Sequence, residues 1–260
     1  MSISFKEVAC GYGNKVVMDN VNFAVDSGEA VCVLGPNGIG KTTLFNTLFG
    51  FIRPLSGCIT IDGEDVSKMS DRDKARLLSY VPQAYKYSYQ FSVLDTVLMG
   101  RVSHIGRFSR PGEHDIRVAV DSLASLGVDH LKGIPFSELS GGQQQVVLIA
   151  RALAQESKYV VMDEPASNLD FENKRKLIHA VRKLTAAGRG VLMTSHAPEQ
   201  AFECCARTLL IKRGAPPVFG DTLEVLNNEN LEETYGLPLY VGGLDVEGTG
   251  SLYACFADYS

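Results

Sequence analysis

The sequence predicts an α/β protein built on a mainly parallel sheet, with an N-terminal antiparallel β part and an inserted α-helical subdomain. Three observations lead to this fold class. The first third is rich in strand-like segments, the section from Asp71 to about Leu139 is mostly helical, and strands alternate with helices in the remainder. Such alternation indicates parallel strands joined by right-handed crossovers.

The strand-like segments of the first third differ in pattern. Ile3–Val8 and Val21–Val25 alternate apolar and polar side chains, which is typical of half-buried strands. Ala30–Leu34 is continuously apolar and predicts a fully buried strand. A helix is expected over Lys41–Phe49, followed by a strand at Gly57–Ile61 that enters a turn.

The apolar pattern of the rest of the chain predicts a helical section, followed by further strands of the sheet. Apolar residues recur at helical spacing over Asp115–Leu126, and a loop is expected at Gly100–Gly112. Helix and strand then alternate over Gly142–Ala154, Tyr159–Met162, Phe171–Ala186, Gly190–Ser195, Ala197–Cys204 and Thr208–Lys212. We expect one domain over residues 1–240, a helical subdomain inserted at about 84–155, and a tail at 241–260 with the pattern of a small hairpin and no assigned role.

Composition narrows the possible function classes. The 260 residues carry a formal net charge of −5, and 45% are hydrophobic and 21% charged, which is typical of a globular protein. Binding to nucleic acid needs a basic surface, so no nucleic-acid partner is expected. No apolar run approaches the roughly 20 residues of a membrane span, and the N-terminus lacks a signal-peptide pattern. We therefore expect a cytosolic chain that reaches a membrane only through a partner.

The six cysteines show no metal-site pattern. None forms a Cys-x-x-Cys pair, and none has a histidine at zinc-ligand spacing. We expect reduced thiols that act as small apolar residues. The adjacent pair Cys204 and Cys205 is the one place where redox sensitivity merits a test.

A phosphate-binding loop follows the strand at Ala30–Leu34. The segment GPNGIGKT at 35–42 matches the P-loop pattern and opens a helix. Glycines let the backbone wrap around phosphates, and the N–H groups of the loop and helix attract the anion. Lys41 would supply a charge to the β- and γ-phosphates, and Thr42 a hydroxyl to Mg²⁺. The predicted site for ATP and Mg²⁺ comprises Gly35, Pro36, Asn37, Gly38, Gly40, Lys41, Thr42 and Thr43.

Two carboxylates end the apolar strand at Tyr159–Met162. Asp163 is placed to hold Mg²⁺, as the equivalent aspartate does in other P-loop enzymes. Glu164 would orient or deprotonate the water that attacks the γ-phosphate. Two further polar residues follow strands. His196 comes after Gly190–Ser195 and could contact the γ-phosphate, and Gln83 follows a short strand from Ser79 and could bridge Mg²⁺ or the water.

The segment Leu139-Ser140-Gly141-Gly142-Gln143 resembles the LSGGQ signature of ABC (ATP-binding cassette) ATPases. A chance match is on the order of one in ten thousand for a chain of this length. The order of motifs also agrees with that family: the P-loop, Gln83, the signature, Asp163-Glu164, the segment at 167–170 and His196. The resemblance covers about Ile3 to Tyr240, and it implies a P-loop NTPase core that hydrolyses ATP.

The resemblance also implies roles for individual residues. Tyr12 is expected to stack on adenine, and Gln83 to sense both Mg²⁺ and the transporter partner. Asp170 is expected at a dimer interface. The signature residues Ser140, Gly141, Gly142 and Gln143 are expected to contact ATP bound by a second subunit. The family usually carries a basic residue soon after the signature glutamine, whereas Gln144, Gln145 and Val146 stand here.

The segment after Gln83 suggests a class of transporter. Residues 97–108 with Arg110-Pro111 resemble the ATPases of iron-chelate, haem and cobalamin importers, and molybdate-type importers can share the pattern. We expect a homodimer at the cytoplasmic face of the membrane, bound to integral permease subunits and acting indirectly with a substrate-binding protein. Residues 84–110, including Tyr85, Tyr87 and Tyr89, are expected to contact the permease. A non-transport ABC ATPase, such as an iron–sulfur assembly factor, and the ATPase of an exporter stay open as alternatives.

Overall fold

The computed structural model describes residues 1–83, 90–106, 109–167, 169–247 and 250–257. The strands are β1 Ser2–Tyr12, β2 Lys15–Asp26, β3 Ala30–Leu34, β4 Ser56–Ile61, β5 Glu64–Asp65, β6 Leu78–Val81, β7 Tyr159–Met162, β8 Gly190–Ser195, β9 Arg207–Leu210, β10 Val218–Asp221, β11 Leu239–Val246 and β12 Gly250–Ala257. The α-helices are α1 Lys41–Leu48, α2 Asp71–Leu77, α3 Val93–Leu98, α4 Glu113–Ala124, α5 Gly141–Ala154, α6 Phe171–Ala186, α7 Pro198–Cys204, α8 Thr222–Val225 and α9 Asn228–Tyr235. Short 3-10 helices lie at Met99–Ser103, Asp129–Leu131 and Phe136–Glu138.

The chain forms two compact units. The first combines Met1–Met69 with Gly190–Ser260, and the second is Ser70–Arg189. The predicted insertion at about 84–155 lies within the sequence range of the second unit and stays a prediction as a separate subdomain.

The first unit contains an antiparallel sheet with the strand order β2-β1-β4-β5. Its side chains alternate as the sequence predicts. Phe5 of β1 and Phe23 of β2 face each other across the strand pair, with stacked rings 4.2 Å apart. Both rings are at least 95% buried, so this face of the sheet packs on the core of the unit.

The first unit also contains strands in the order β10-β9-β3-β8. Strand β3 runs parallel to both β8 and β9, which places Leu34 opposite Ser195. All residues of β3 and β8 are buried, as expected for strands covered on both faces. Helix α1 follows β3 and buries Leu44, Phe45 and Leu48. The parallel strands thus present their C-terminal ends at one edge, where the P-loop begins.

The second unit pairs β6 and β7 in parallel and surrounds α5 with α3, α4 and α6. Its helices begin at residues that favour helix N-termini. Ser70, Ser92, Ser140 and Asp170 each accept a hydrogen bond from the backbone N–H three residues later. Helix α5 is mostly buried, so it forms the centre of this unit.

The predicted fold class is confirmed, and one local prediction is partly wrong. The loop expected at Gly100–Gly112 begins with the 3-10 helix Met99–Ser103. The side chain of Arg101 holds this turn, because its guanidinium donates to the carbonyl of Ala154 at 2.7 Å and to Glu156 at 2.6 Å. Strand β10 and helices α8 and α9 were not predicted. Tyr85, Tyr87 and Tyr89, expected at the permease, lie outside the described residues.

Within the described ranges, no helix combines the length and the apolar character that a bilayer span requires.

Candidate nucleotide-binding and hydrolysis site

The P-loop of the first unit has the backbone geometry that its glycines predict. Gly38 and Gly40 have positive φ angles of 76° and 113°, a region that side chains other than glycine rarely adopt. A Cβ atom on Gly40 would also lie 2.4 Å from Cγ1 of Val17. The loop therefore needs glycine at position 40 both for its conformation and for the approach of β2.

Lys41 is held inside this loop. Its side chain is buried, at 5% exposure, and Nζ donates to the carbonyl oxygens of Gly35 at 2.7 Å and Pro36 at 3.2 Å. Thr43 is also buried, whereas the neighbouring Thr42 is exposed at the start of α1. A buried ammonium beside the N-terminus of a helix fits the charge of a phosphate group.

His196 and Tyr12 belong to the same unit as the P-loop. The carbonyl of Ser195 accepts from the N–H of Gly35 at 3.3 Å, so His196 follows directly after a residue that touches the loop. Its side chain is exposed. Tyr12 ends β1 with 56% of its surface exposed, and β1 pairs with β2, which packs against Gly40. An exposed aromatic ring near the phosphate loop fits a stacking role.

The backbone carbonyl of His196 also accepts from the hydroxyl of Tyr235, at 2.9 Å. Burial raises the pKa of Tyr235 well above its ordinary value, so this hydroxyl keeps its proton and remains a donor. The contact ties the turn that carries His196 to helix α9, and nothing in the sequence pattern around Tyr235 predicted it.

The second unit brings together Asp163, Glu164 and Gln83. Asp163 is buried, and its N–H donates to the carbonyl of Val81 at 2.9 Å. Glu164 has a positive φ of 44°, an uncommon conformation for this residue type that occurs often at functional sites. The amide nitrogen of Gln83 lies 3.4 Å from Oε2 of Glu164. The two residues predicted to act on the attacking water are thus neighbours.

The signature segment forms the first turn of α5. Ser140 and Gln143 make reciprocal capping bonds of 3.3 Å and 3.0 Å, so their side chains order the helix N-terminus. A Cβ on Gly141 would meet no atom within 4 Å, whereas one on Gly142 would lie 2.8 Å from the side chain of Asn173. The open backbone at Gly141 leaves room for an anion to approach the helix dipole.

Asp170 caps α6 through a 2.8 Å bond from the N–H of Asn173. The next residue, Phe171, is 92% exposed. The position at a dimer interface that the resemblance implies for Asp170 stays a prediction.

Sequence reasoning missed Gln145. This side chain is 1% exposed, and its Nε2 donates to the carbonyl of Pro82 at 3.3 Å. Among the described residues its Oε1 has no hydrogen-bond partner. Gln145 therefore joins the signature helix to the residue before Gln83. The run of three glutamines at 143–145 does not indicate which side chain faces inward, so nothing in the sequence predicted this contact.

Comparison with known proteins shows the family of this chain. Residues 18–167 match the family model described as ABC transporter. The chain is an ABC transporter ATP-binding protein. It therefore carries an ATPase cassette that binds nucleotide, and the predicted family and enzyme class are confirmed.

Relatives of this ABC cassette have related descriptions. The molybdate import ATP-binding protein MolC of Haemophilus influenzae is 36% identical, with 86% of this chain and 83% of that protein covered. A protein of Helicobacter pylori, described as a probable iron chelatin transport ATP-binding protein, is 32% identical. The match covers 92% of this chain and 94% of that protein. A solved structure described as an inward-facing metal-chelate type ABC transporter is 32% identical. It has a TM-score of 0.87 and covers 100% of this cassette and 98% of its own chain.

Proposed function

We propose that this cassette hydrolyses ATP to power an importer of metal chelates. The observation that carries the proposal is the set of ordered ATPase features in one chain: a buried Lys41 within the P-loop, Gln83 beside Glu164, and an open helix N-terminus at Gly141. The iron chelatin relative and the metal-chelate type structure support the solute class.

A second solute class also has support. The relative MolC is described as a molybdate import protein and is 36% identical to this cassette. Because the cassette itself does not bind the solute, transport assays with a ferric chelate and with molybdate, using the natural permease, would decide between the two.

The residues of the P-loop would bind and orient the phosphates. Lys41 exchanges its bonds to the loop carbonyls for bonds to the β- and γ-phosphates, and the N–H groups of Gly38 and Gly40 donate to phosphate oxygens. Tyr12 stacks on the adenine ring. Thr42, Gln83 and Asp163 would hold Mg²⁺, which when bound neutralises part of the phosphate charge.

Glu164 would act on the attacking water. Its carboxylate accepts a proton from the water, while Gln83 and Ser167 fix the carboxylate and its backbone in position. His196 donates to the γ-phosphate and stabilises the charge that develops there. Glu164 has a positive φ, and strained backbone of this kind is concentrated at functional sites.

The working unit would be a homodimer. The signature helix of one chain closes on the γ-phosphate held by the P-loop of the other, with Asp170 and the exposed Phe171 at the interface. Two equal sites then form together because the contact is symmetric.

Permease subunits would hold the dimer at the cytoplasmic face of the membrane. An apolar groove in the second unit is lined by Phe91, Leu98, Met99, Val102 and Ile105, and Val102 is 67% exposed. The groove lies within the segment expected to contact the permease, and apolar grooves are the usual binding sites of amphipathic helices.

Two substitutions separate binding from hydrolysis. Lys41→Ala removes the ammonium from the phosphate site and should weaken ATP binding at least about tenfold. Glu164→Gln keeps the shape but removes the base, so ATP binding should persist while turnover falls about a hundredfold or more. ATP affinity and steady-state hydrolysis of the two proteins are the measurements. Near-normal turnover in Glu164→Gln would remove Glu164 from the role of base.

A further inference from the structure

The turn that carries His196 is held by hydrogen bonds on both sides of that residue. On the N-terminal side, the carbonyl of Ser195 accepts from the N–H of Gly35 at 3.3 Å. On the C-terminal side, the N–H of Ala197 donates to Oγ of Ser195 at 2.9 Å. The carbonyl of His196 itself accepts from the hydroxyl of Tyr235 at 2.9 Å. Both peptide groups that flank the Cα atom of His196 therefore have hydrogen-bond partners.

These bonds determine the direction in which the exposed imidazole of His196 leaves the backbone. A peptide group is planar, so fixing the planes on both sides of a Cα atom fixes φ, ψ and the direction of Cβ. Gly35 begins the P-loop, and its bond fixes the first plane relative to the phosphate-binding loop. Without the bond from Tyr235, the second plane keeps only the bond to Oγ of Ser195 from this set. The direction of the imidazole therefore depends on the Tyr235 hydroxyl.

Tyr235 is the last residue of α9, a helix that is anchored to the strands of the P-loop. Nζ of Lys212 donates to the side chains of Asn230 at 2.8 Å and Glu233 at 2.5 Å. Only 9% of the Lys212 side chain is exposed. Lys212 lies two residues after β9, and β9 pairs with β3, the strand that leads into the P-loop. The hydroxyl of Tyr235 therefore approaches the turn from a fixed position.

The surroundings of Tyr235 keep its hydroxyl protonated and connect it to the C-terminal hairpin. Burial raises the pKa of Tyr235 well above its ordinary value, with smaller contributions from Cys32, Cys255 and Glu199. These three residues belong to β3, β12 and α7. The backbone N–H of Cys255 donates to Glu199 at 3.3 Å, and α7 begins two residues after His196. The hairpin and α9 thus contact the elements on both sides of the His196 turn.

We propose that Tyr235 is a positioning residue for ATP hydrolysis, whose bond to the carbonyl of His196 directs the imidazole toward the γ-phosphate. The inference rests on the proposed function, in which His196 donates to that phosphate. A donor that is already in place stabilises developing charge without reorganisation, and a small displacement of such a group lowers the rate. Tyr235 should therefore affect turnover and not ATP affinity, which the P-loop and Tyr12 would provide.

The test removes the hydroxyl and the imidazole separately and together. Tyr235→Phe, His196→Ala and the double variant are made in the full-length chain, and ATP affinity and hydrolysis at saturating ATP and Mg²⁺ are measured. His196→Ala should lower turnover about a hundredfold, because a donor to the developing charge is lost. Tyr235→Phe should lower turnover about fivefold, as loss of one hydrogen bond does, and leave ATP affinity within about twofold. In the His196→Ala background, Tyr235→Phe should change turnover by less than about 1.5-fold, because no imidazole remains to be directed.

Tyr240→Phe is the matched control for this experiment. It removes the same hydroxyl from a tyrosine of β11 that is 52% exposed, and it should leave turnover and ATP affinity unchanged. The double variant also separates positioning from stability. If Tyr235 only stabilised the fold, its substitution would lower turnover by the same factor with and without the imidazole of His196.

The outcomes separate the positioning role from the proposed function. If His196→Ala loses turnover while Tyr235→Phe hydrolyses ATP normally, the positioning role is wrong and the role of His196 stands. An equal loss from Tyr235→Phe in both backgrounds leads to the same conclusion. Normal turnover in His196→Ala would contradict the role of His196 in the proposed function, and the positioning role with it.

Discussion

At the scale of single residues, the buried cation Arg101 determines the shape of a segment that looked like a loop. Its side chain is 3% exposed and makes ion pairs with Asp115 at 3.0 Å and Glu156 at 2.6 Å. The hydrogen bond from the backbone N–H of Gly112, which has the largest effect, and the hydrogen bond from Arg101 lower the pKa of Asp115. Burial alone would raise the pKa of Glu156, but the hydrogen bond and charge of Arg101, together with the charges of His104 and Arg189, lower the pKa overall.

This arrangement predicts a pH-dependent loss of stability in Arg101→Met. At pH 7 the substitution should lower the Tm by roughly 5 °C or more, since it leaves two carboxylates without their cation. Carboxylates with depressed folded-state pKa values stabilise above their unfolded pKa, and that stability is lost as the pH falls through the folded pKa. The Tm difference between wild type and variant should therefore shrink below about pH 4.

Thermal unfolding followed between pH 3 and pH 8 measures this difference. Lys176→Met serves as the control, because Lys176 pairs with Glu172 on the surface of α6, where Glu172 is 77% exposed, and such a pair contributes little. A Tm difference for Arg101→Met that stays constant across the pH range would show that packing, and not the ion pairs, accounts for the loss.

At the scale of elements, the sequence predicted the helices and strands that are marked by a pattern within or next to their own residues. The apolar runs at Ala30–Leu34 and Tyr159–Met162 and the helix at Phe171–Ala186 have the predicted bounds. Each strand is marked by its own apolar residues, and the helix by its apolar spacing and by Asp170, which caps it from the position just before. The 3-10 helix at Met99–Ser103 was not predictable in this way. Arg101 is held by residues 14 to 55 positions away, and no local pattern reports such contacts.

The same distinction applies to the candidate site. The residue type at positions 38 and 40, glycine, itself indicates the positive φ angles found there, so the P-loop could be found from sequence alone. The inward direction of Gln145, the bond from Tyr235 to His196 and the exposure of Phe171 depend on tertiary packing, and the sequence carried no signal for them.

The close approach of the 3-10 helix to α5 yields a second prediction. A Cβ on Gly100 would lie 2.3 Å from the backbone oxygen of Arg151, and a helix backbone cannot move aside as a side chain can. Gly100→Ala should therefore reduce the free energy of unfolding by about 2 kcal/mol or more. A Cβ on Gly133 would meet no atom within 4 Å, so Gly133→Ala should change the free energy of unfolding by less than about 0.5 kcal/mol.

Urea unfolding of the two alanine variants gives this comparison. Equal stability of Gly100→Ala and wild type would mean that the 3-10 helix and α5 do not pack as closely as described.

At the scale of the whole molecule, the cassette holds two candidate phosphate-binding features. One is the P-loop with Lys41, and the other is the capped helix N-terminus at Gly141 and Gly142. We propose that each ATP is bound by the P-loop of one chain and the signature of its partner. The P-loop and the signature can then be inactivated separately, in different chains of one dimer.

The most direct test of this account is a complementation measurement. Lys41→Ala and Gly142→Asp chains, both carrying Glu164→Gln and each with its own affinity tag, are mixed with ATP and Mg²⁺, and two-tag purification measures the mixed dimer. One of its two sites carries both defects and the other carries neither. If each ATP site is shared between two chains, the mixed dimer should form with ATP but not with ADP, and neither chain should dimerise alone. Failure of the mixture to associate, or dimerisation of Gly142→Asp alone at the level of the Glu164→Gln parent, would contradict it.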